Sequence, residues 1–416
     1  MRLFLLLFVL IYASMHFYAM AAASSAFNLK SDDKTVAALV MLILTVSPFI
    51  VRYSERTGHP SAAMAAAYIG YYWMGFLLYV VLSLLSFDLY RLILYLAGKV
   101  SRSELDFLRV KITTSFYLSV LFSICVCVYG YFEARAIRIE KVVIRTNKVT
   151  APVKIAQISD VHVGLIIRDE RIKTIVAAIA AELPDILVST GDLVDGQLDN
   201  TTGFAKYFEA LTPPLGKYAV TGNHEFYAGL RQPIDFTERC GFKLLRNEMV
   251  DIGDGIVIAG VDDPEVIRYR GPFNERINLD SKEALEASQT HQIEEQKLLM
   301  GIPPDKYTIL LKHRPELNKH EEGLFDLQLS GHTHKGQIFP FNIVTWLYYS
   351  KQTGLSDFTA WVYVPNKSGL LKVGKRESLY VNRGAGTWGP PIRVLSPPEI
   401  AIIELIPENV KEPLKP

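Results

Sequence analysis

Residues 185–195, DILVSTGDLVD, decide how this chain is read. Asp185 to Thr190 is an apolar run of strand length, the pattern of a strand buried on both faces. It ends on Gly191-Asp192, a turn followed by a carboxylate. Four other segments repeat that arrangement: SDVH (159–162), GNHE (222–225), KHRPE (312–316) and SGHTH (330–334). Each follows an apolar, strand-like run. In sheets of this kind ligands bind beyond the carboxyl ends of the strands, so the five loops are expected to converge on one rim.

The residue types in those loops carry chemistry. Asp160, His162, Asp192, Asn223, His313, His332 and His334 offer oxygen and imidazole nitrogen and no thiolate. Such donors suit manganese, iron or zinc. Seven are too many for one tetrahedral ion and enough for two divalent ions sharing a carboxylate. A metal pair clamps the oxygens of an in-line displacement at phosphorus. A single histidine is usually structural, but five of the nine histidines fall in these segments. Asp195, Ser159 and Glu225 read as residues that orient the ligands rather than bind metal. Asp262-Asp263 reads as a turn. Gly384, Gly386 and Gly389 form a GxGxxG string, but Pro390-Pro391 deny it the helix that a dinucleotide site needs.

Outward from this core, strands alternate with helices: 137–145, 153–159, a helix over 170–183, 218–221, a hairpin within 242–261, 308–311, 378–382 and 399–405. That order predicts a layered α/β domain with a mixed sheet. Toward the front the composition changes. Leu3–Phe27, Thr35–Val51, Ser61–Phe87 and Thr113–Phe132 are apolar runs, and about 20 such residues span a bilayer. Residues 88–111 hold a shorter stretch, LILYLAG, expected as an interfacial or re-entrant helix. Ala19-Met20-Ala21 resembles a cleavage site, but the first run is longer than a signal peptide's and three spans follow, so an uncleaved helix is expected. The resulting division is 1–135 transmembrane, with about four spans, 136–406 the α/β domain, and 407–416 a proline- and charge-rich tail.

Half the residues are hydrophobic and the formal charge is only +1, so the expected partners are the lipid bilayer and a phosphorylated substrate, with no nucleic acid. Cys125, Cys127 and Cys240 make no disulfide framework. Basic residues are almost evenly divided between the two sides of the spans. The cluster Arg135, Arg138, Lys141, Arg145 and Lys148 beside the last span favours a cytoplasmic α/β domain on a cell inner membrane. From Phe339 to Lys375, aromatic residues alternate with lysines, the composition of a membrane interface. Trp346, Leu347 and Tyr348 are the expected lip beside the metal site, against the alternative of a strand pair in the sandwich.

The ordered set D-x-H, GD-x-x-D, GNH-E, a later histidine and GH-x-H resembles the calcineurin-like metallophosphoesterase family over roughly residues 150–406. The resemblance implies a four-layered αββα sandwich. It implies one metal on Asp160, His162, Asp192 and His334 and a second on Asp192, Asn223, His313 and His332, with Asp192 bridging. His224 is similar to the family's non-ligand histidine, the catalytic group placed to protonate the leaving oxygen. Residues 380–400, YVNRGAGTWGPPIRVLSPPEI, further resemble a membrane-attached bacterial subgroup related to UDP-2,3-diacylglucosamine hydrolases. The activity implied is hydrolysis of a phosphomonoester, phosphodiester or pyrophosphate, with a lipid-linked substrate in view. The alternative is a membrane receptor or scaffold that keeps the fold without the chemistry. The set has lost no ligand, as a degenerate domain would.

Overall fold

In the computed structural model the described residues are 2–102, 105–196, 201–270, 275–353, 369–373 and 377–409. They fall into two compact units. The first comprises Met1–Phe132 together with Gly389–Ile392. It contains α1 (Arg2–Phe27), α2 (Ser31–Arg56), α3 (Pro60–Ser101) and α4 (Ile112–Glu133). All four are long and apolar enough to cross a membrane. Leucine, isoleucine, valine and phenylalanine stand exposed along α1, α2 and α4, as on helices solvated by lipid.

Small residues let these helices approach closely. A side chain at Gly70 of α3 would collide with Ser47 of α2. His16 of α1 is held from three directions. Its Nδ1 lies 2.9 Å from the Tyr12 carbonyl and 3.2 Å from Thr45 Oγ1, and Trp73 Nε1 donates to its Nε2 at 2.8 Å. One expectation is corrected. LILYLAG is no separate interfacial helix; it lies within α3, which runs unbroken for 42 residues. Nothing between Phe87 and Gly98 breaks a helix, and Asp88 and Arg91 pair one turn apart at 2.6 Å.

The second unit holds two six-stranded sheets. In chain order its elements are β1 (Arg138–Thr146), β2 (Val153–Ile158), α5 (Asp169–Ala181), β3 (Ile186–Ser189), α6 (Thr201–Glu209), β4 (Lys217–Ala219), α7 (Asn223–Tyr227), α8 (Arg231–Arg239), β5 (Lys243–Leu244), β6 (Glu248–Gly253), β7 (Ile256–Gly260), β8 (Tyr269–Arg270), β9 (Glu275–Arg276), α9 (Ser281–Met300), β10 (Tyr307–Leu311), β11 (Leu327–Ser330), α10 (Phe341–Thr353), β12 (Leu370–Val373), β13 (Glu377–Val381) and β14 (Glu399–Pro407). One sheet runs β1-β14-β2-β3-β4-β5 and the other β12-β13-β11-β10-β7-β6. β2 through β5 are parallel, as are β7, β10, β11 and β13.

Three apolar layers hold the sandwich. Ile155, Val188, Ile258, Ile309, Leu329 and Ile403 fill the space between the sheets. Ile172, Ile175 and Ile179 of α5, Phe204 and Phe208 of α6 and Phe236 of α8 cover the outer face of the first sheet. Leu299 of α9 joins Val257 and Leu310 on the second. Of the helices in this unit the sequence reading found α5 and missed α6, α7, α8, α9 and α10. α9 carries a start signal, since Asp280 accepts from the Lys282 and Glu283 amides and Glu283 reaches back to the Asp280 amide. α10 occupies part of the segment read as a lip or strand pair. Phe358, Trp361, Tyr363 and Lys367 of that segment, and the end of the tail, lie outside the described residues.

A buried ion pair ties α9 to the strand that precedes His313. Lys312 Nζ meets both oxygens of Glu295, at 2.7 and 2.9 Å. Removing one partner strands the other, whereas removing both does not. We expect Lys312→Met to destabilise the full chain by about 3–5 kcal/mol in chemical unfolding, and Glu295→Met/Lys312→Met to recover most of that loss. A single substitution no worse than the double would show that the pair bears no such strain.

Candidate metal centre

Each sequence-predicted donor follows a strand. Asp160 and His162 follow β2, Asp192 follows β3, and Asn223 and His224 follow β4. His313 follows β10, and His332 and His334 follow β11. Because these strands are parallel within their sheets, the loops gather at one end of the sandwich. The backbone there is unusual. Asp160, His162, Asp192, His332 and His334 all have positive φ, between 46 and 67°. Non-glycine residues enter that region at a cost, and such residues cluster at functional sites.

Close approach explains the neighbouring glycines. A methyl group on Gly331 would overlap Ser159 and the Asp160 carboxylate, and one on Gly222 would overlap Asp192. The GxGxxG string is a turn against the same residues, where Gly386 donates its amide to the Asp160 carbonyl at 2.9 Å.

The donors form three groups, in each of which one atom per residue lies within 4.8 Å of the others: Asp160, His162 and His334; His162, Asp192 and His224; and Asp192, His313 and His332. His334 Nε2 is 3.4 Å from Asp160 Oδ1 and 3.1 Å from His162 Nε2. His313 Nε2 is 3.3 Å from Asp192 Oδ2 and 3.2 Å from His332 Nδ1. Asp192 therefore belongs to two of the groups. The Oδ1 of Asn223 is buried and finds no hydrogen-bond partner among the described residues.

Surrounding groups fix the rings. His313 Nδ1 lies 2.7 Å from the Thr190 carbonyl, which leaves Nε2 facing Asp192. Asp195 Oδ1 stands 3.3 Å from His162 Nδ1 and 3.0 Å from His224 Nδ1, so one carboxylate faces two imidazoles. Glu225 accepts the amides of Asp192, Val194 and Gly222 at 3.0, 3.1 and 2.7 Å and so shapes the loop under Asp192. Asp262 and Asp263 are engaged elsewhere, by Arg246 and Arg314. The sequence reading missed three contacts. Arg393 Nη2 lies 3.2 Å from His334 Nδ1, and the exposed rings of Tyr227 and Trp388 stand edge-on to His224. Only the quoted segment 380–400 hinted at Arg393 and Trp388.

The field of the site calls for positive charge. Burial opposes charging His313, but Asp192 overcomes it and raises that imidazole to about 10. Burial likewise works against His224, which Asp192 and Asp195 raise to about 9. Burial followed by the neighbouring His313 and Arg314 holds His332 down at about 3. Burial pushes the Asp192 carboxyl up, and His313 and His224 outweigh it, leaving it well below the usual range. Buried carboxylates that draw protons onto nearby imidazoles offer the same attraction to a cation.

A family match covers the segment that holds all of these donors. Residues 153–336 match the calcineurin-like phosphoesterase family. A metallophosphoesterase of Aquifex aeolicus is 36% identical over 281 residues, covering 67% of this chain and 95% of that one. A metallophosphoesterase of Helicobacter pylori is 33% identical over 283 residues, 67% of each chain. A transmembrane protein with a metallophosphoesterase domain from Danio rerio is 28% identical over 304 residues, 69% of this chain and 62% of the relative.

Glu225 gives a direct check on the loop geometry. In Glu225→Gln one end of the side chain would present N–H groups to an amide that now has an acceptor. We expect a loss of about 2 kcal/mol, read as a lowered midpoint in thermal unfolding, although the volume is unchanged. An unshifted midpoint would remove Glu225 from the account.

Proposed function

The chain belongs to the calcineurin-like metallophosphoesterase family, and from that premise we propose that it is a membrane-anchored, two-metal hydrolase of a phosphoester or pyrophosphate bond in a lipid-linked substrate. The observation that carries the reading is Asp192, shared between one buried group of donors that includes His162 and another that includes His313 and His332.

The donor set fits a pair of divalent ions. It is buried except for the half-buried His332, contains carboxylate, amide and imidazole and no thiolate, and keeps one unpartnered oxygen on Asn223. Asp160, His162, Asp192 and His334 would hold one ion, and Asp192, Asn223, His313 and His332 the other. When bound, such a pair supplies Lewis acidity, neutralising phosphoryl oxygens and making water more acidic. Manganese, iron and zinc all suit these ligands.

The chain's own residues do the rest. Asp195 and Thr190 hold His224 and His313 in fixed orientations, so neither ring has to reorganise as charge develops. With Nδ1 engaged by Asp195, His224 turns its Nε2 to the substrate and protonates the leaving oxygen. Asn223 steadies the phosphate beside it. Tyr227 and Trp388 border the leaving-group side through their contacts with His224.

Four helices long and apolar enough to cross a membrane make this a membrane protein. We place the division near residue 135, with the phosphoesterase domain over 136–406 and a tail beyond. The basic cluster from Arg135 to Lys148 supports a cytoplasmic domain on the inner membrane. The near-neutral charge supports a substrate other than nucleic acid.

Three experiments check this reading. Purified protein should carry close to two transition-metal ions, and Asp192→Ala should lose most of both; full metal content in that variant would sink the shared-carboxylate assignment. His224→Ala should keep its metal but turn over about 100-fold more slowly, most markedly with poor leaving groups. Loss of metal there would make His224 a ligand, as its place in one donor group allows. For topology, a C-terminal fluorescent fusion should be bright and an alkaline-phosphatase fusion silent; the reverse pattern would place the domain on the other side.

A further inference from the structure

α10 is apolar on both its inner and its outer side. Its inner side carries Asn342, Trp346 and Tyr349; Asn342 and Tyr349 are buried, and Trp346 packs with Leu371, Leu379 and Val381. Its outer side carries Phe341, Val344, Leu347 and Tyr348, which are 48, 57, 46 and 56% exposed. Steps of three and four residues put these four on one stripe. A helix at a water-facing surface carries polar and charged residues on its outer side instead. Lys351, one turn beyond Tyr348, is the charged residue on that side among the described residues.

The patch extends beyond the helix. Phe339 is exposed and donates its amide to the Val394 carbonyl. The next residue, Leu395, is 49% exposed and has φ 57°. A leucine held in the left-handed region with its side chain in water carries two costs at once, so a use for that side chain is expected. The patch also adjoins the chemistry. α10 begins seven residues after His334, and the ring of Tyr349 lies 6.4 Å from that of His332, nearly perpendicular to it.

We propose that the outer face of α10, with Phe339 and Leu395, inserts into the interface of a lipid bilayer and presents the phosphate of a membrane lipid to the His332 side of the metal centre. The sequence placed Trp346 in such a lip; the structure turns Trp346 inward and puts Phe341 and Val344 outward instead. The occupant is a bilayer because this chain carries its own membrane helices, which keep a lipid surface at high effective concentration. A soluble partner has no such advantage. Aromatic and aliphatic side chains bordered by a lysine are also the composition of an interfacial helix. A protein partner's interface mixes in polar groups for about one hydrogen bond per 100–200 Å². The insertion stands independently of the catalytic reading, whereas the choice of a lipid phosphate as substrate rests on it.

The test uses the full chain reconstituted in vesicles of phosphatidylcholine and phosphatidylglycerol. Cys125 and Cys127 are changed to serine and the buried Cys240 is kept. Spin labels are attached at Val344→Cys, Leu347→Cys and, as a water-exposed control, Leu183→Cys. Labels at 344 and 347 should be reached by oxygen and shielded from a water-soluble nickel chelate, with the opposite at 183. Nickel access at 344 and 347 would overturn the insertion. So would shielding from both reagents with dipolar broadening between labels, which would mean that a second copy covers the face.

In a second arm, Phe341→Ser/Val344→Ser/Leu347→Ser should hydrolyse a soluble aryl phosphodiester within about twofold of the parent and a lipid phosphate in the same vesicles about tenfold more slowly. An unchanged ratio of the two activities would overturn the lipid-substrate part. Absence of both activities in the metal-loaded parent would overturn the catalytic reading and leave the spin-label result untouched.

Discussion

Three carboxylates beside one another at the sheet ends, Asp160, Asp192 and Asp195, set the terms for the rest of the α/β unit. Asp160 and Asp192 are essentially sealed from solvent. Unpaired buried charge is expensive, so the surroundings must supply compensation. No lysine or arginine among the described residues pairs with Asp160 or Asp192; backbone amides and imidazoles answer them instead. The His332 amide donates to Asp160 and the His224 amide to Asp192. This solution leaves the carboxylates without a fixed lysine or arginine partner in a preorganised cradle, the condition under which a dication can compete for them. A guanidinium in the same position would satisfy the carboxylates and occupy the site.

The same requirement explains the backbone. To aim two donors from one short loop at a common point, the chain after β2 and after β11 turns through left-handed conformations at alternate residues. Asp160 and His162, and likewise His332 and His334, bracket a residue of ordinary conformation. The strain is held in place from both sides. The Glu225 carboxylate gathers three amides beneath Asp192, and Gly222 and Gly331 admit the neighbouring loops at distances no side chain would allow. Rigidity at the rim thus follows from packing and hydrogen bonding that the donors themselves do not provide.

This division of labour determines what the sequence could reveal. The donors were legible because their types are rare and their spacing is short: five histidines in four of the five loops, each loop after an apolar run. The strands were legible because burial on both faces makes them continuously apolar. The supporting contacts were harder to see. Arg393 reaches His334 across 59 positions, and Thr190 holds His313 across 123, separations that no local pattern records. α9 was missed although its capping box was present, because its apolar face is narrow: His291, Glu295 and Leu299 are its buried residues. α10 was missed for a related reason. With apolar residues on both sides it has no helical periodicity to detect, and tyrosine and tryptophan suit strands as well.

The helical unit shows the same economy of polar groups with a different result. His16 is satisfied by Tyr12, Thr45 and Trp73, and Asp88 by Tyr18 and Arg91. An ion or proton pathway needs polar groups that change partners, facing a cavity or one another in sequence. Here the polar side chains join one helix to the next: His16 links α1 to α2 and α3, and Tyr18 links α1 to α3. Each therefore serves to fix the arrangement of apolar helices, where dispersion and small-residue contacts alone discriminate weakly between registers. At the metal centre the α/β unit buries carboxylates that no lysine or arginine among the described residues pairs with, which creates a site. In the helical unit His16 and Asp88 find partners on neighbouring helices, which ties the apolar helices together.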